Sequence, residues 1–230
     1  MTAGPGYGYA PGYGYPPPVP PKKTKAPLIV GIVAAVILLG LGVTATLLYL
    51  DAHEDGGRPA SGDTLAEECD RVSTETRAMM RTTNPHSGYT PDAGNGKNYV
   101  LCNWGQTEGV DGEGLRQLTL TMSEYTDEPE KAEKDYARTL TSRRSAEQKP
   151  EAGDKTVVHK IDDIGDEAFL VEQFTGSAFF AVDLIFREDG HVITVGYQGW
   201  DVGVFTNTAP DPKQFAGLVD KAAREIEGAL

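Results

Sequence analysis

From Leu28 to Leu50 the chain runs 23 residues without a charged side chain. A surface helix of a globular domain needs a polar face, and this stretch has none. At about 1.5 Å per residue a helix of that length spans roughly 34 Å, enough for a hydrocarbon core of about 30 Å. Fourteen of the 23 residues are Leu, Ile or Val. At about −0.3 to −0.6 kcal/mol each they favour insertion by roughly 4 to 8 kcal/mol. Lys22, Lys23 and Lys25 precede the run; Asp51, Glu54 and Asp55 follow it. Cytoplasmic flanks hold the Lys/Arg excess, so the expected topology is a short N-terminus inside and a large C-terminal part outside. A buried core helix is one competing reading. A cleavable signal peptide is the other, but its apolar region is normally about 7–15 residues, and no clean Ala-x-Ala site precedes the polar flank. Gly31 with Ala35, and Gly40 with Thr44, form small-xxx-small pairs of the kind that let membrane helices associate.

The layout that follows is a tail over 1–27, a membrane helix over 28–50, a linker over 51–62 and a domain over 63–230. The tail repeats Pro-Gly-Tyr-Gly-Tyr and continues into a proline run. Gly and Pro at that density bury too little surface to offset chain entropy, so a disordered tail is expected. Tyr7, Tyr9, Tyr13 and Tyr15 are either stickers for weak association or parts of a solvated stub. Asp51 to Gly62 is rich in Gly, Asp, Pro and Ser and reads as a short flexible stalk.

All 34 acidic residues and 18 of the 21 basic ones lie after residue 50, a net charge of −16 for that part. Such a surface repels nucleic acid and anionic lipid, which excludes DNA and RNA as partners. It suits a cation or a basic partner, or simply keeps the domain soluble.

Within 63–230, Thr64 and Glu67 have capping-box spacing. Leu65, Cys69, Val72, Thr76 and Met79 recur at helical steps, so one helix with Cys69 on its inward stripe is expected. A polar loop, Asn84–Asn98, follows. A strand over 99–106 then places Val100, Cys102 and Trp104 on one side. Two inward cysteines on consecutive elements are where a helix-to-sheet disulfide would form, and an outer compartment permits one. Two free buried thiols are the alternative. Leu118, Leu120 and Met122 alternate with polar residues in a strand over 115–125. Asp127, Pro129 and Glu130 open a helix whose apolar stripe is Ala132, Tyr136 and Leu140. Four further strands are expected near 155–161, 166–174, 177–187 and 191–199, the last two joined at Asp189-Gly190, a strong hairpin signal. Asp211-Pro212 opens a final helix that buries Phe215, Leu218, Val219, Ala222 and Ile226. Hairpins without βαβ alternation predict an α+β domain: an antiparallel sheet of about six strands with three helices packed on it.

The Cys69 helix, the Cys102-Asn103-Trp104 strand and the Ile164-Gly165-Asp166-Glu167-Ala168-Phe169 turn together resemble a family of actinobacterial extracytoplasmic domains. These occur in lipoproteins and membrane-anchored proteins, mostly of unknown function. In layout they are similar to the outer sensor domains of some actinobacterial serine/threonine kinases, and more loosely to PsbP-like sandwiches. The resemblance covers about residues 63–230. It implies a paired Cys69 and Cys102 and no established catalytic residues. The chain departs from the lipoproteins in lacking a lipid-attachment cysteine and from the kinases in lacking a kinase domain.

The residues offer little catalytic chemistry. His53, His86, His159 and His191 form no His-x-x-x-His pair, and Cys69 and Cys102 no Cys-x-x-Cys pair, so no zinc site is read. No Gly-x-Ser-x-Gly elbow and no phosphate-binding glycine loop appears. Asp162, Asp163, Asp166 and Glu167 surround Gly165 and offer oxygens to a hard cation, but without calcium-loop spacing they read as a turn. No catalytic residue, metal or cofactor is expected. Candidate contacts for a ligand or partner are Tyr89, in the 84–98 loop, and Tyr197, Trp200 and Phe205 in a second loop over 197–210. The alternative for these aromatics is that they bury themselves at the sheet end. The expected role is binding or sensing outside the membrane, of a small ligand or an envelope protein. An accessory structural subunit acting through tail and anchor is the alternative, and an envelope enzyme a third.

Overall fold

The structure is a computed structural model that describes residues 26–86, 98–125, 128–176 and 178–230. The repeated tail with its four tyrosines, Lys22, Lys23 and Lys25, most of the 84–98 loop including Tyr89, and Asp127 lie outside the described residues. The chain divides into two compact units, the first ending at Thr44 and the second running Ala45–Leu230.

The apolar run is helix α1 (Ala26–Ala52), long and apolar enough to cross a membrane, with the side chains of Val30–Asp51 unburied all round. Thr44 returns its hydroxyl to the Gly40 carbonyl at 2.8 Å, so its polar group is satisfied inside the helix.

The second unit is α+β, as the strand and helix patterns predict. Its helices are α2 (Thr74–Met79), α3 (Pro129–Gln148) and α4 (Pro212–Glu227). Its strands are β1 (Asn84–His86), β2 (Asn98–Gly105), β3 (Leu115–Glu124), β4 (Lys155–Ile161), β5 (Glu167–Thr175), β6 (Phe179–Glu188), β7 (His191–Val202) and β8 (Asn207–Thr208). The sheet order is β1-β2-β3-β7-β6-β5-β4, with β8 paired to β7 and every pairing antiparallel. Among the described residues there are eight strands, two more than the expected six. Asn84–His86 belongs to an edge strand rather than a loop, and β7 runs on through Trp200 to Val202 before β8 returns. Both extra strands are too short to carry a periodic pattern of their own.

Helices pack on both faces of the sheet, α3 over only part of its own. On one face α4 lays Phe215, Val219, Ala222 and Ile226 against Phe180, Leu184, Val195 and Tyr197. Asp211 caps α4 by accepting from the Lys213 amide at 3.0 Å, and Pro212 occupies the first turn, where its missing N–H costs nothing. Trp104, Leu118, Leu120 and Met122 fill the same core. On the other face α3 sets Ala132 and Tyr136 on Phe169, Val171 and Ile185. The β6–β7 hairpin turns at Asp189 (φ 44°) and Gly190 (φ 76°), the left-handed pair that matches strand twist.

The single helix expected from Thr64 onward is instead two pieces. A 3-10 turn covers Glu67–Arg71; the chain then extends through Val72 and Ser73 before α2 begins. Ser73, not Thr64, is the cap, its hydroxyl accepting from the Thr76 amide at 3.1 Å. The break shifts the phase, so Cys69, Val72 and Thr76 stay buried while Met79 turns outward and Met80 inward. Cys69 and Cys102 form a disulfide, Cα atoms 5.7 Å apart, tying this segment to β2.

The segment after α1 is not a free stalk. Arg58 pairs in parallel with Thr107, through Arg58 N to Gln106 O at 3.0 Å and Glu108 N to Arg58 O at 2.9 Å. The Asn84 amide donates to the Arg58 and Pro59 carbonyls and accepts from the Ser61 amide at 2.9 Å. Gly56 and Gly57 permit this contact: a Cβ on Gly56 would stand 1.9 Å from the Gly114 carbonyl oxygen, and one on Gly57 2.5 Å from the Glu108 nitrogen. A composition that reads as flexible is here the composition of close backbone approach.

Candidate functional site

On the α3 face one register line crosses seven strands: His86, Asn103, Thr119, Gly196, Asp183, Val171 and Val158. Paired residues share a face, so the line splits the sheet. Its apolar end, Val171 and Val158, belongs to the cluster under α3. Its polar end lies beyond α3, and no described helix covers it. A second line, Gly105, Gln117, Gln198, Ala181 and Gln173, runs beside the first. The result is a half-face of partly buried amides, hydroxyls and one imidazole. Thr119 donates to Asn103 Oδ1 at 3.1 Å, and Gln198 Nε2 to Gln117 Oε1 at 2.7 Å. These bonds orient the amides and leave capacity over, because each amide offers two donors and two acceptor lone pairs.

At the β1 end the half-face deepens into a cleft of about 360 Å³. Asn103, Gly105, Leu115 and Gln117 line it, Gly56 and Arg58 of the strapped segment bound it, and His86 stands at its edge. Gly105 keeps it open: a Cβ there would lie 3.0 Å from His86 Nε2. Two buried side chains hold the surrounding loops. Gln106 accepts from the Arg116 amide at 2.9 Å and donates to the Gly112 carbonyl at 3.3 Å. Asp111 Oδ2 accepts from Thr83 N, Thr83 Oγ1 and Thr107 N at 3.0, 2.9 and 2.7 Å.

Where α3 meets the polar half-face, Arg143 donates to Asp183 Oδ2 at 2.8 Å. Burial pushes the Asp183 carboxyl up from its ordinary value, and Arg143 pulls it part of the way back. One carboxyl with one guanidinium is a latch between helix and sheet. The register neighbours of Asp183 are Gly196 and Val171.

The four aromatic candidates separate. Tyr197 is 2% exposed in β7, donates its hydroxyl to the Met80 carbonyl at 2.7 Å and packs on Phe215, ring centroids 4.3 Å apart. It is a core residue and not a surface contact; burial pushes its hydroxyl up to about 12. Trp200 is half-buried and pairs with Leu115, which places it on the cleft's face. Phe205 is 53% exposed, beside exposed Val204, between β7 and β8. Tyr89 lies outside the described residues.

The acidic residues around Gly165 form a turn, and Asp162, Asp166 and Glu167 are ion-paired in it. Lys160 pairs with Asp162 at 2.7 Å; Arg187 pairs with Asp166 at 2.8 Å and Glu167 at 3.7 Å. Gly165 (φ 54°) donates its N–H to Glu227 at 2.7 Å, and a Cβ there would stand 2.6 Å from the Arg187 carbonyl oxygen. A wider groove of about 570 Å³ lies beside it, floored by Val158 and Phe169, but these same ion pairs occupy its rim. Among the described residues no group of three or more His, Cys, Asp or Glu side chains could hold a metal ion.

Compared with known proteins, the chain matches no protein-family model, no curated protein and no solved structure.

Proposed function

We propose that this is a single-pass membrane protein whose α+β domain stands outside the membrane and binds a neutral polar ligand, such as a sugar or a peptide backbone, on the polar half of the α3 face. The observation that carries the reading is the register line that turns from Val158 and Val171 to Asp183, Thr119, Asn103 and His86. A sheet half with no described helix over it, lined by oriented amides and ending in a cleft, presents several donors and acceptors in fixed positions. Hydroxyl- or amide-rich ligands are recognised that way. Trp200 adds an aromatic on the same face, and stacking on such a ring suits a sugar or a planar amide. The apolar α1, the lysines before it and the disulfide support the extracytoplasmic placement. The strongly acidic surface makes nucleic acid an unfavourable partner.

The test uses the full chain in lipid nanodiscs and saturation-transfer NMR with two probe sets, disaccharides and uncharged tripeptides. At least one probe is expected to receive saturation from the wild type and to lose it in Asn103→Trp, which fills the cleft. No transfer to any probe, or transfer that survives Asn103→Trp, contradicts the reading.

A further inference from the structure

Outside α1, five large apolar side chains are exposed among the described residues: Met79, Val110, Val204, Phe205 and Leu230. Four of them stand at one end of the sheet. Leu115 opens β3 opposite Trp200 of β7. The loop before β3, which carries Val110, and the turn between β7 and β8, which carries Val204 and Phe205, therefore leave the sheet at the same end. Met79 joins them, lining a hollow with Arg116 and Asp201. Leu230 lies at the other end. Its N–H bonds the Glu227 carbonyl, Glu227 accepts from the Gly165 amide, and Gly165 sits against Arg187 beside the β6–β7 hairpin. Apolar side chains scattered singly over a surface need no explanation; four gathered at one end do.

The path of the chain identifies what lies against that end. The apolar run of α1 closes at Asp51, and Asp55 is four residues further on. Four residues reach at most about 14 Å when fully extended. The reach here is shorter, because the His53 and Glu54 amides bond back to the Leu50 and Asp51 carbonyls. Asp55 Oδ2 then accepts from the Gly109 amide, and Val110 is the next residue along. Arg58 pairs with Thr107 in the same loop. The headgroup layer of one leaflet is about 5–8 Å deep. The loop that carries Val110 is thus tied to the chain at a level where a membrane crossed by α1 would have its headgroups.

We infer that this end of the domain rests on the bilayer that α1 crosses, with Val110, Val204 and Phe205 set into its interface. The inference rests on the proposed reading of α1 as a membrane span, and not on the ligand proposed for the polar half-face. Seating the three side chains among headgroups and upper acyl chains removes their apolar surface from water. Glu108 and Glu113 flank Val110 and repel an anionic surface, so the contact is apolar and needs no charged lipid. Held at α1 and at these loop tips, the domain keeps one end at the membrane instead of swinging on a free stalk.

The test uses the full chain, methyl-labelled at valine and leucine, in phosphatidylcholine nanodiscs. NMR spectra are compared with and without a lipid that carries a nitroxide near the top of its acyl chain. The tether alone keeps Val110 close to the lipid, so Val204, on the turn after β7, decides. Its methyl resonances are expected to lose most of their intensity to the nitroxide, as those of Val43 in α1 do, while Leu230 keeps its own. Phe205→Ser, on the same exposed turn, should return part of the lost intensity at Val204. Loss at Val43 without loss at Val204 overturns this inference and leaves the membrane span standing. No loss at Val43 overturns the span and this inference with it. Equal loss at Leu230 and Val204, or a loss at Val204 unchanged by Phe205→Ser, reports unspecific contact and also overturns the inference.

Discussion

Gly196 of β7 and Asp183 of β6 stand opposite each other on the α3 face, and a Cβ on residue 196 would lie 2.8 Å from Asp183 Oδ1. The missing side chain is the space the carboxylate occupies when it takes the Arg143 guanidinium. Gly196→Ala is therefore expected to destabilise the domain by about 1–3 kcal/mol, the usual cost of forcing atoms into a filled site. Urea unfolding followed by circular dichroism measures it. Asp183→Ala placed on top of Gly196→Ala should cost less than the two single losses added, because the clash and the latch involve the same atoms.

The disulfide holds a segment that has little helix of its own. With α2 only six residues long and a 3-10 turn before it, Cys69 depends on Cys102 for its place. Closing a loop of about 34 residues is worth roughly 3.8 kcal/mol by chain entropy. Reduction, or Cys69→Ala with Cys102→Ala, should lower the urea midpoint accordingly. Intact mass after non-reducing alkylation should show no modified thiol; two modified cysteines would remove the bridge from the account.

Glu225 ties α4 to the start of α2. Burial would push its carboxyl up. The Thr76 hydroxyl at 2.6 Å, the Ser73 amide and hydroxyl, and Lys221 at 3.0 Å outweigh that and bring it down to about 2. A carboxyl whose folded value is depressed contributes stability above its unfolded value and loses it as pH falls. The window here runs from about 4.5 down to about 2, and the contribution is at most about 3 kcal/mol. Wild type should lose stability through that window, while Glu225→Gln should be less stable at neutral pH and flatter with acid. Parallel urea midpoints against pH for the two proteins check this.

These three predictions also mark what the sequence discloses. The cap Asp211-Pro212, the Asp189-Gly190 turn and the alternation Leu118, Leu120, Met122 are local signals, and each element forms where its signal stands. The break at Val72–Ser73 escaped because a 3-10 turn and an extended pair still bring Cys69, Val72 and Thr76 inward. A helical stripe and a bent segment bury the same residues. β1 and the strapped Asp55–Ser61 segment are held by partners well along the chain, and β8 is a two-residue return onto β7; their own composition argues for loops. The polar half-face is the extreme case. His86, Asn103, Thr119, Gly196 and Asp183 meet only through the strand order, in which β3 pairs with β7 rather than with the next strand. A long crossover of that kind leaves no trace in local pattern. Tyr197 shows the reverse error: an aromatic among Gly and Asn reads as a contact residue and is a core residue with a buried hydroxyl bond.

The proposed placement of the domain outside the membrane bears on the disulfide and the proposed ligand class alike, and one fusion measures it. Alkaline phosphatase joined after Leu230 folds and turns over substrate only outside the cytoplasm, whereas green fluorescent protein exported unfolded by the general secretory route does not fluoresce there. The account predicts active phosphatase and a dark fluorescent fusion. An inactive phosphatase with a bright fluorescent fusion at the same residue would contradict it.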